Sequence, residues 1–242
     1  LEFLDKKMYP KQYIPTGNNF VFNSLKNLYS SYEYRKIEKV VDFKISKKIL
    51  ELGCGNGFLL KKIAKKNKNV LCLGIDFGIK DFKSYNLSLV NDRIENLEKL
   101  KKFEADIVIL NNVIEHLKSF EFIKNFFSIL NAKTKVIILT PDLNSHARKS
   151  FSILWSGYHS PRHNFVFSIN SFNEICKICN LKIDKNSKLL DPFSNLISIK
   201  NAIKAKFLLK NTNIKVNLFS LLFKIFDDFL FKNRIFLVLE KI

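Results

Sequence analysis

A chain of 242 residues is long enough to bury one sizeable core, and its 47% hydrophobic and 26% charged residues are those of a globular protein rather than a disordered chain. The formal net charge of +19 would ordinarily point to nucleic acid or an anionic membrane surface, yet only five of the 41 basic residues are arginine and lysine is spread over the whole length. Dedicated phosphate readers cluster their basic residues on one face, so nucleic acid is not the expected partner.

In chain order, residues 1–44 read as an N-terminal helical cap, with Phe22, Leu25, Leu28, Tyr29 and Tyr32 at helical spacing between positions 20 and 41. Residues 48–52 form a buried strand, followed by a glycine-rich turn and a helix over 58–66 that carries Leu59, Leu60 and Ile63 inward. A second apolar strand over 70–75 ends at Asp76, and a short helix is expected after it. Strands over 87–90 and 105–110 come next, then a helix over 119–130 and a strand over 135–140 stopped by Pro141.

Beyond Pro141 the pattern loosens. A short helix over 145–155, an irregular segment over 157–167 and a helix over 171–179 are expected, with late strands at 181–184 and 235–239. Between those strands, residues 214–231 form an apolar helix whose Asn217, Ser220, Lys224, Asp227 and Asp228 make one narrow polar stripe. That stripe argues against a transmembrane span and for packing on the domain, a homodimer contact or a membrane surface. Alternation of strands and helices implies a doubly wound, mostly parallel α/β sheet of seven strands. No linker marks a boundary, so 1–242 reads as one domain, with the cap at 1–44, a cofactor-binding half at 45–140 and a substrate-side half at 141–242.

The four cysteines, at 54, 72, 176 and 179, lack framework spacing, which fits reduced thiols in a cytoplasmic protein. Cys176 and Cys179 share a helical face with Phe172 and Ile175, and no second Cys/His pair stands at ligand spacing, so they read as core and no metal is expected. The chain begins at Leu1 rather than Met, and no signal peptide is visible in it.

Chemistry concentrates in Ile49-Leu50-Glu51-Leu52-Gly53-Cys54-Gly55-Asn56-Gly57, an apolar strand running into three glycines at alternate positions. Glycine allows the tight turn and close approach of a ligand, while the following helix presents its free N–H groups. Phe58 breaks the G-x-G-x-x-G pattern of nicotinamide enzymes, and the Gly-Lys-Ser/Thr of a P-loop is absent. Asp76 ends the next strand, where a doubly wound sheet sets an acidic side chain over a ribose.

This series of motifs, E-x-G-x-G-x-G, then G-I-D, then D-I-V-I-L-N-N-V-I-E-H-L, then L-T-P-D, resembles the class I S-adenosylmethionine-dependent methyltransferases. Residues 140–145 and 155–165 further resemble the branch of ubiquinone-biosynthesis O-methyltransferases and of sugar and natural-product methyltransferases. The resemblance implies that Glu51 and Gly53 lie by the methionine part of the cofactor, with Gly55 and Gly57 as the floor beneath it. It also implies that Asp76 holds the ribose, that Phe77 packs near the adenine, and that Asp92 or Glu95 meets the adenine amino group. Asn111 and Asn112 would face the sulfonium end, and Arg35 would grip the cofactor carboxylate or lie on the surface.

Methyl transfer needs in-line positioning, and a base only where the acceptor must lose a proton. His116 and His163 are the candidates for that base, each with a packing or loop-anchoring role as its alternative. Trp155, Tyr158, His159 and Arg162 would line the acceptor side. The expected reaction is methylation of a small molecule, most simply on oxygen of a sugar, a quinone precursor or a lipid-linked glycan. The alternatives are a cofactor-binding subunit without turnover and an RNA methyltransferase. Against the last, Asn111-Asn112-Val113-Ile114 stands where base-amino methyltransferases carry Asn/Asp-Pro-Pro-Tyr/Phe. A monomer or homodimer is expected.

Overall fold

The computed structural model describes residues 20–159, 161–208 and 232–242, and the expected helix over 214–231 lies outside them. Among the described residues, eight strands make one sheet: β1 (Lys48–Leu52), β2 (Leu71–Asp76), β3 (Phe82–Lys83), β4 (Leu87–Asn91), β5 (Ile107–Asn111), β6 (Lys135–Pro141), β7 (Leu181–Leu189) and β8 (Arg234–Lys241). Their order is β3-β4-β2-β1-β5-β6-β8-β7, with β4, β2, β1, β5 and β6 parallel and β3, β8 and β7 antiparallel to their neighbours. The sheet is therefore mostly parallel, as expected, with one strand more than seven. That extra strand, β3, is a two-residue edge pairing with β4 and takes the place of the short helix expected after Asp76.

Helices cover both faces. They are α1 (Phe20–Ile37), α2 (Phe58–Lys66), α3 (Leu97–Phe103), α4 (Phe120–Ser128), α5 (His146–Phe151), α6 (Ile169–Cys179) and α7 (Pro192–Leu208). Alternation along each strand divides the core in two. Ile49, Ile107 and Ile109 meet Tyr34 and Ile37 of α1 and Leu60 and Ile63 of α2, whereas Leu50, Leu52, Val108 and Leu110 belong with Phe126, Phe127 and Phe172 of α4 and α6. Cys176 and Cys179 are buried free thiols within the second cluster, as their helical spacing implies. The helix over 169–179 starts two residues earlier than its sequence pattern showed, because Ser168 caps it and Ser171 reaches back in a reciprocal capping box.

Parallel register sets Leu52, Asp76, Asn91 and Asn111 at one edge of the sheet. From β1 the chain winds outward through β2 and β4, then crosses back to β5 on the other side of β1. Such a reversal opens a crevice beyond the strand ends, where ligands of doubly wound sheets bind. Among the described residues, no helix is long and apolar enough to cross a membrane.

Candidate active site

The glycine-rich turn leaves β1 at that crevice. Gly53, Gly55 and Gly57 all take positive φ, at 62°, 52° and 69°, the left-handed region in which side chains with Cβ are strained. The Gly53 N–H donates to the Ile75 carbonyl at 2.8 Å, which ties the turn to the end of β2. A Cβ on Gly53 would come within 2.5 Å of the Val113 side chain. The turn then hands over to α2, whose first N–H groups have no partner within the helix.

Asp76 closes the turn from the neighbouring strand, accepting the Gly55 N–H on Oδ2 at 2.7 Å. Burial raises its carboxyl above the ordinary carboxylate range, and backbone N–H groups of Gly55 and Phe77 draw it back down. Glu51 lies beneath, 3% exposed, with Oε2 lacking any partner. Its carboxyl is pushed well up, first by burial and then by the nearby charges of Glu33 and Asp76. A buried acceptor among acidic neighbours is a site for a cationic group.

Around the rim, Phe77 is exposed, and the Asp92 amide donates to the Asp76 carbonyl at 3.1 Å. The Asp92 carboxylate is held locally by Lys99 at 2.8 Å and Asn96 at 3.2 Å, and Glu95 pairs with Lys118 at 3.3 Å. Asn112 follows β5 in the left-handed region and is exposed. Arg35 is exposed on α1.

A group that sequence reading missed occupies the next position along the edge. Arg234, at the start of β8, is 1% exposed and pairs with Glu33 of α1 at 3.0 Å and Asn111 Oδ1 at 2.6 Å, while Asn111 donates to Glu33 at 3.2 Å. Tyr29 accepts from Arg234 at 3.2 Å and donates to the Leu190 carbonyl. Burial raises the Glu33 carboxyl, and the guanidinium opposes it. The Asn111 side chain is thereby fixed by α1 and β8. One signal was present in the sequence: in a chain that uses lysine nearly everywhere, an arginine on an apolar strand marks a need for its planar fork.

On the other side of β5, the segment after β6 folds back over the edge. Asn164 and Phe165 donate their N–H groups to the Glu115 carbonyl at 2.8 and 3.1 Å. His116 Nδ1 lies 3.0 Å from the Arg162 carbonyl and His163 Nδ1 lies 2.7 Å from the Gly157 carbonyl, so both histidines bind the loop backbone. Their rings meet edge to face with centroids 4.5 Å apart, and His159, exposed, stands 5.1 Å from His163. Burial lowers both imidazoles, His163 to about 4, and raises the Glu115 carboxyl to about 7. The two histidines, 47 positions apart in sequence, are thus brought together.

Trp155 does not line this wall. It is 2% exposed, packed with Phe151, Ala147 and Ala202 and edge-on to Tyr158, and its indole lies against Gly157. Of the residues read in sequence as the acceptor side, Trp155 and Tyr158 pack on each other, with the Trp155 indole against Gly157. Tyr158 remains half-buried, its hydroxyl accepting from Arg148 Nε at 3.2 Å.

The strand order, the glycine turn at the β1–α2 junction and the acidic end of β2 define a Rossmann-like methyltransferase fold. Residues 27–186 match the family model described as a methyltransferase domain, and the chain belongs to that family. Among solved structures, a cyclopropane-fatty-acyl-phospholipid synthase-like protein from Lactobacillus casei aligns over 99% of this chain and 100% of its own at 13% identity, TM-score 0.60. A SAM-dependent methyltransferase from Archaeoglobus fulgidus aligns over 93% and 100% at 16% identity, TM-score 0.53. A ribosomal RNA small subunit methyltransferase A from Mesomycoplasma hyopneumoniae is 37% identical over 81 residues, 31% of this chain. The chain spans only 30% of that protein's length.

Proposed function

We propose that the protein transfers the methyl group of S-adenosylmethionine to a small-molecule acceptor, most simply to a hydroxyl of a sugar, quinone precursor or lipid-linked glycan. The observation that carries this reading is the glycine turn latched to Asp76, with the unpartnered carboxylate oxygen of Glu51 beneath it. Bound there, S-adenosylmethionine supplies an already activated methyl on a sulfonium. Asp76 accepts the ribose hydroxyls, Gly55 and Gly57 let the ligand lie close to the backbone, and Phe77 and Asp92 border the adenine. Glu51 accepts from the ammonium of the methionine part, and Asn111, held by Glu33 and Arg234, faces its sulfonium end. Calorimetry with S-adenosylmethionine and S-adenosylhomocysteine tests the reading, with micromolar affinity expected and no heat for either sinking it. Asp76→Ala is expected to weaken both by tenfold to a hundredfold, the loss of about 1.5 to 3 kcal/mol in charged hydrogen bonds.

The acceptor lies over His116 and His163, which are neutral near pH 7 and stand beside the returning loop. His163→Ala is expected to lower turnover by about a hundredfold or more, the scale of a lost proton acceptor. Cofactor affinity should stay within twofold. Full turnover in both His163→Ala and His116→Ala would leave positioning alone as the catalytic device.

The local likeness to a ribosomal RNA methyltransferase, with the +19 net charge, favours RNA as a second reading. Against it, Asn111 is engaged by Glu33 and Arg234 rather than presented to a flipped base. Labelled-donor assays on RNA and on small acceptors separate the two.

A further inference from the structure

The sequence shows no metal constellation, but the fold assembles one from Glu115, His116 and His163, whose ligating atoms all lie within 4.8 Å of one another. We propose that these three side chains bind one divalent transition-metal ion of the Zn²⁺ and Co²⁺ type, leaving a coordination position open toward the acceptor. Metal binding stands on the geometry alone, whereas what the open position does rests on the methyl-transfer reading.

The first support is the orientation of the rings. Each Nδ1 faces a backbone carbonyl, that of Arg162 for His116 and that of Gly157 for His163. An Nδ1–H that donates there leaves the lone pair on Nε2, the tautomer a metal takes, and carbonyl tethers of this kind orient metal-bound imidazoles.

The second support is independent. Glu115 is 1% exposed, and one carboxylate oxygen accepts from Thr140 Oγ1 at 3.0 Å while the other, Oε1, is buried without a partner. An acceptor left so inside a protein is costly, and a cation satisfies it. Glu115 sits in the one-turn 3₁₀ helix Ile114–His116, pinned by the amides of Asn164 and Phe165 on its carbonyl. The carboxylate itself is held by the Thr140 hydroxyl.

Ligand type selects the ion. Two imidazole nitrogens and one carboxylate suit Zn²⁺, Co²⁺ or Fe²⁺ and disfavour Mg²⁺ and Ca²⁺, which prefer all-oxygen shells. Tetrahedral bonds of about 2.0 to 2.1 Å set ligand atoms roughly 3.4 Å apart, so the trio closes by up to about 1.4 Å, within reach of side-chain rotation. Three protein ligands with one position open is the arrangement of metal sites that act on a bound oxygen. With both Nε2 atoms on the ion neither histidine is free to act as a base; the ion would instead lower the pKa of an acceptor hydroxyl and ease its loss of a proton to solvent or buffer before methyl transfer.

The test uses the full chain, stripped with a chelator and titrated with Co²⁺, with Zn²⁺ as competitor. One equivalent should bind at micromolar affinity or tighter and give ligand-field bands without thiolate charge-transfer. Saturating Zn²⁺ should raise the thermal midpoint by several degrees where Mg²⁺ does not. Glu115→Gln and His163→Ala should each weaken Co²⁺ at least tenfold while retaining S-adenosylmethionine binding within twofold, which also reports that they fold. Substoichiometric binding by the wild type, thiolate bands from the cysteines, or wild-type affinity in both variants would overturn the proposal. A wild type that takes Co²⁺ but no S-adenosylmethionine would overturn the methyl-transfer reading and leave the metal site standing.

Discussion

Gly53→Val is expected to remove detectable binding of S-adenosylmethionine, a loss greater than about a hundredfold, and to lower the thermal midpoint. At φ 62° an L side chain costs about 1 to 2 kcal/mol, more when β-branched. The new Cβ also meets the Val113 side chain at 2.5 Å, so the turn must leave β1 by a different path or the segment after β5 must yield. Either change shifts the Gly53 and Gly55 N–H groups and breaks their bonds to Ile75 and Asp76. Pairing Gly53→Ala with Val113→Ala should relieve the collision but keep the backbone strain, and so recover part of the loss. Wild-type affinity in Gly53→Val, measured by calorimetry, would place the ligand away from this turn.

Glu33→Ala should be the most damaging single change to stability, at about 3 to 5 kcal/mol, because it leaves a buried guanidinium without its countercharge. Arg234 and Glu33 are 1% and 4% exposed, so water cannot replace the lost partner without opening the contact between α1 and β8. For a domain of this size the change corresponds to a fall of roughly 6 to 20 °C in thermal midpoint. Glu33→Leu combined with Arg234→Met should recover most of the stability, since apolar groups of similar volume need no countercharge. Asn111 would still lose two partners, so the double variant should bind cofactor more weakly than its stability suggests. Thermal denaturation showing less than about 1 kcal/mol for Glu33→Ala would make the pair expendable.

How far the sequence foretold this depends on whether a feature is local. Strands β1, β2, β5 and β6 could be placed within a residue or two because each is a short apolar run closed by a turn or an acidic end. The helix over 58–66 came out at its sequence bounds because one stripe of Leu and Ile faces the sheet. Helix α3, by contrast, has Leu97 and Leu100 in a lysine-rich frame with too few apolar positions to show a period, and it was not expected. The same holds for α7, whose apolar residues are distributed around the helix and leave no single stripe to read.

In the site, the glycines and Asp76 were legible because backbone geometry demands those residue types at fixed spacing. The ion pair of Glu33 with Arg234 and the cluster of Glu115 with His163 were not, since each joins positions that only the folded sheet makes neighbours. Trp155 shows the converse error. Aromatic and glycine residues crowded into a loop look like a binding surface, but the indole covers Gly157 and closes a small core between α5 and α7.

The position of β8 between β6 and β7 bears on how the protein is made. Val136 to Thr140 are fully buried, and along that side their ladder partners are residues 235–239, which leave the ribosome long after them. Until those residues arrive, β6 offers an open apolar edge in the nascent chain and β7 has nothing to pair with in the sheet. Such edges recruit strands from other molecules. Slow translation through residues 142–233 should therefore favour aggregation of the nascent chain, and chaperones that shield extended apolar segments should raise soluble yield.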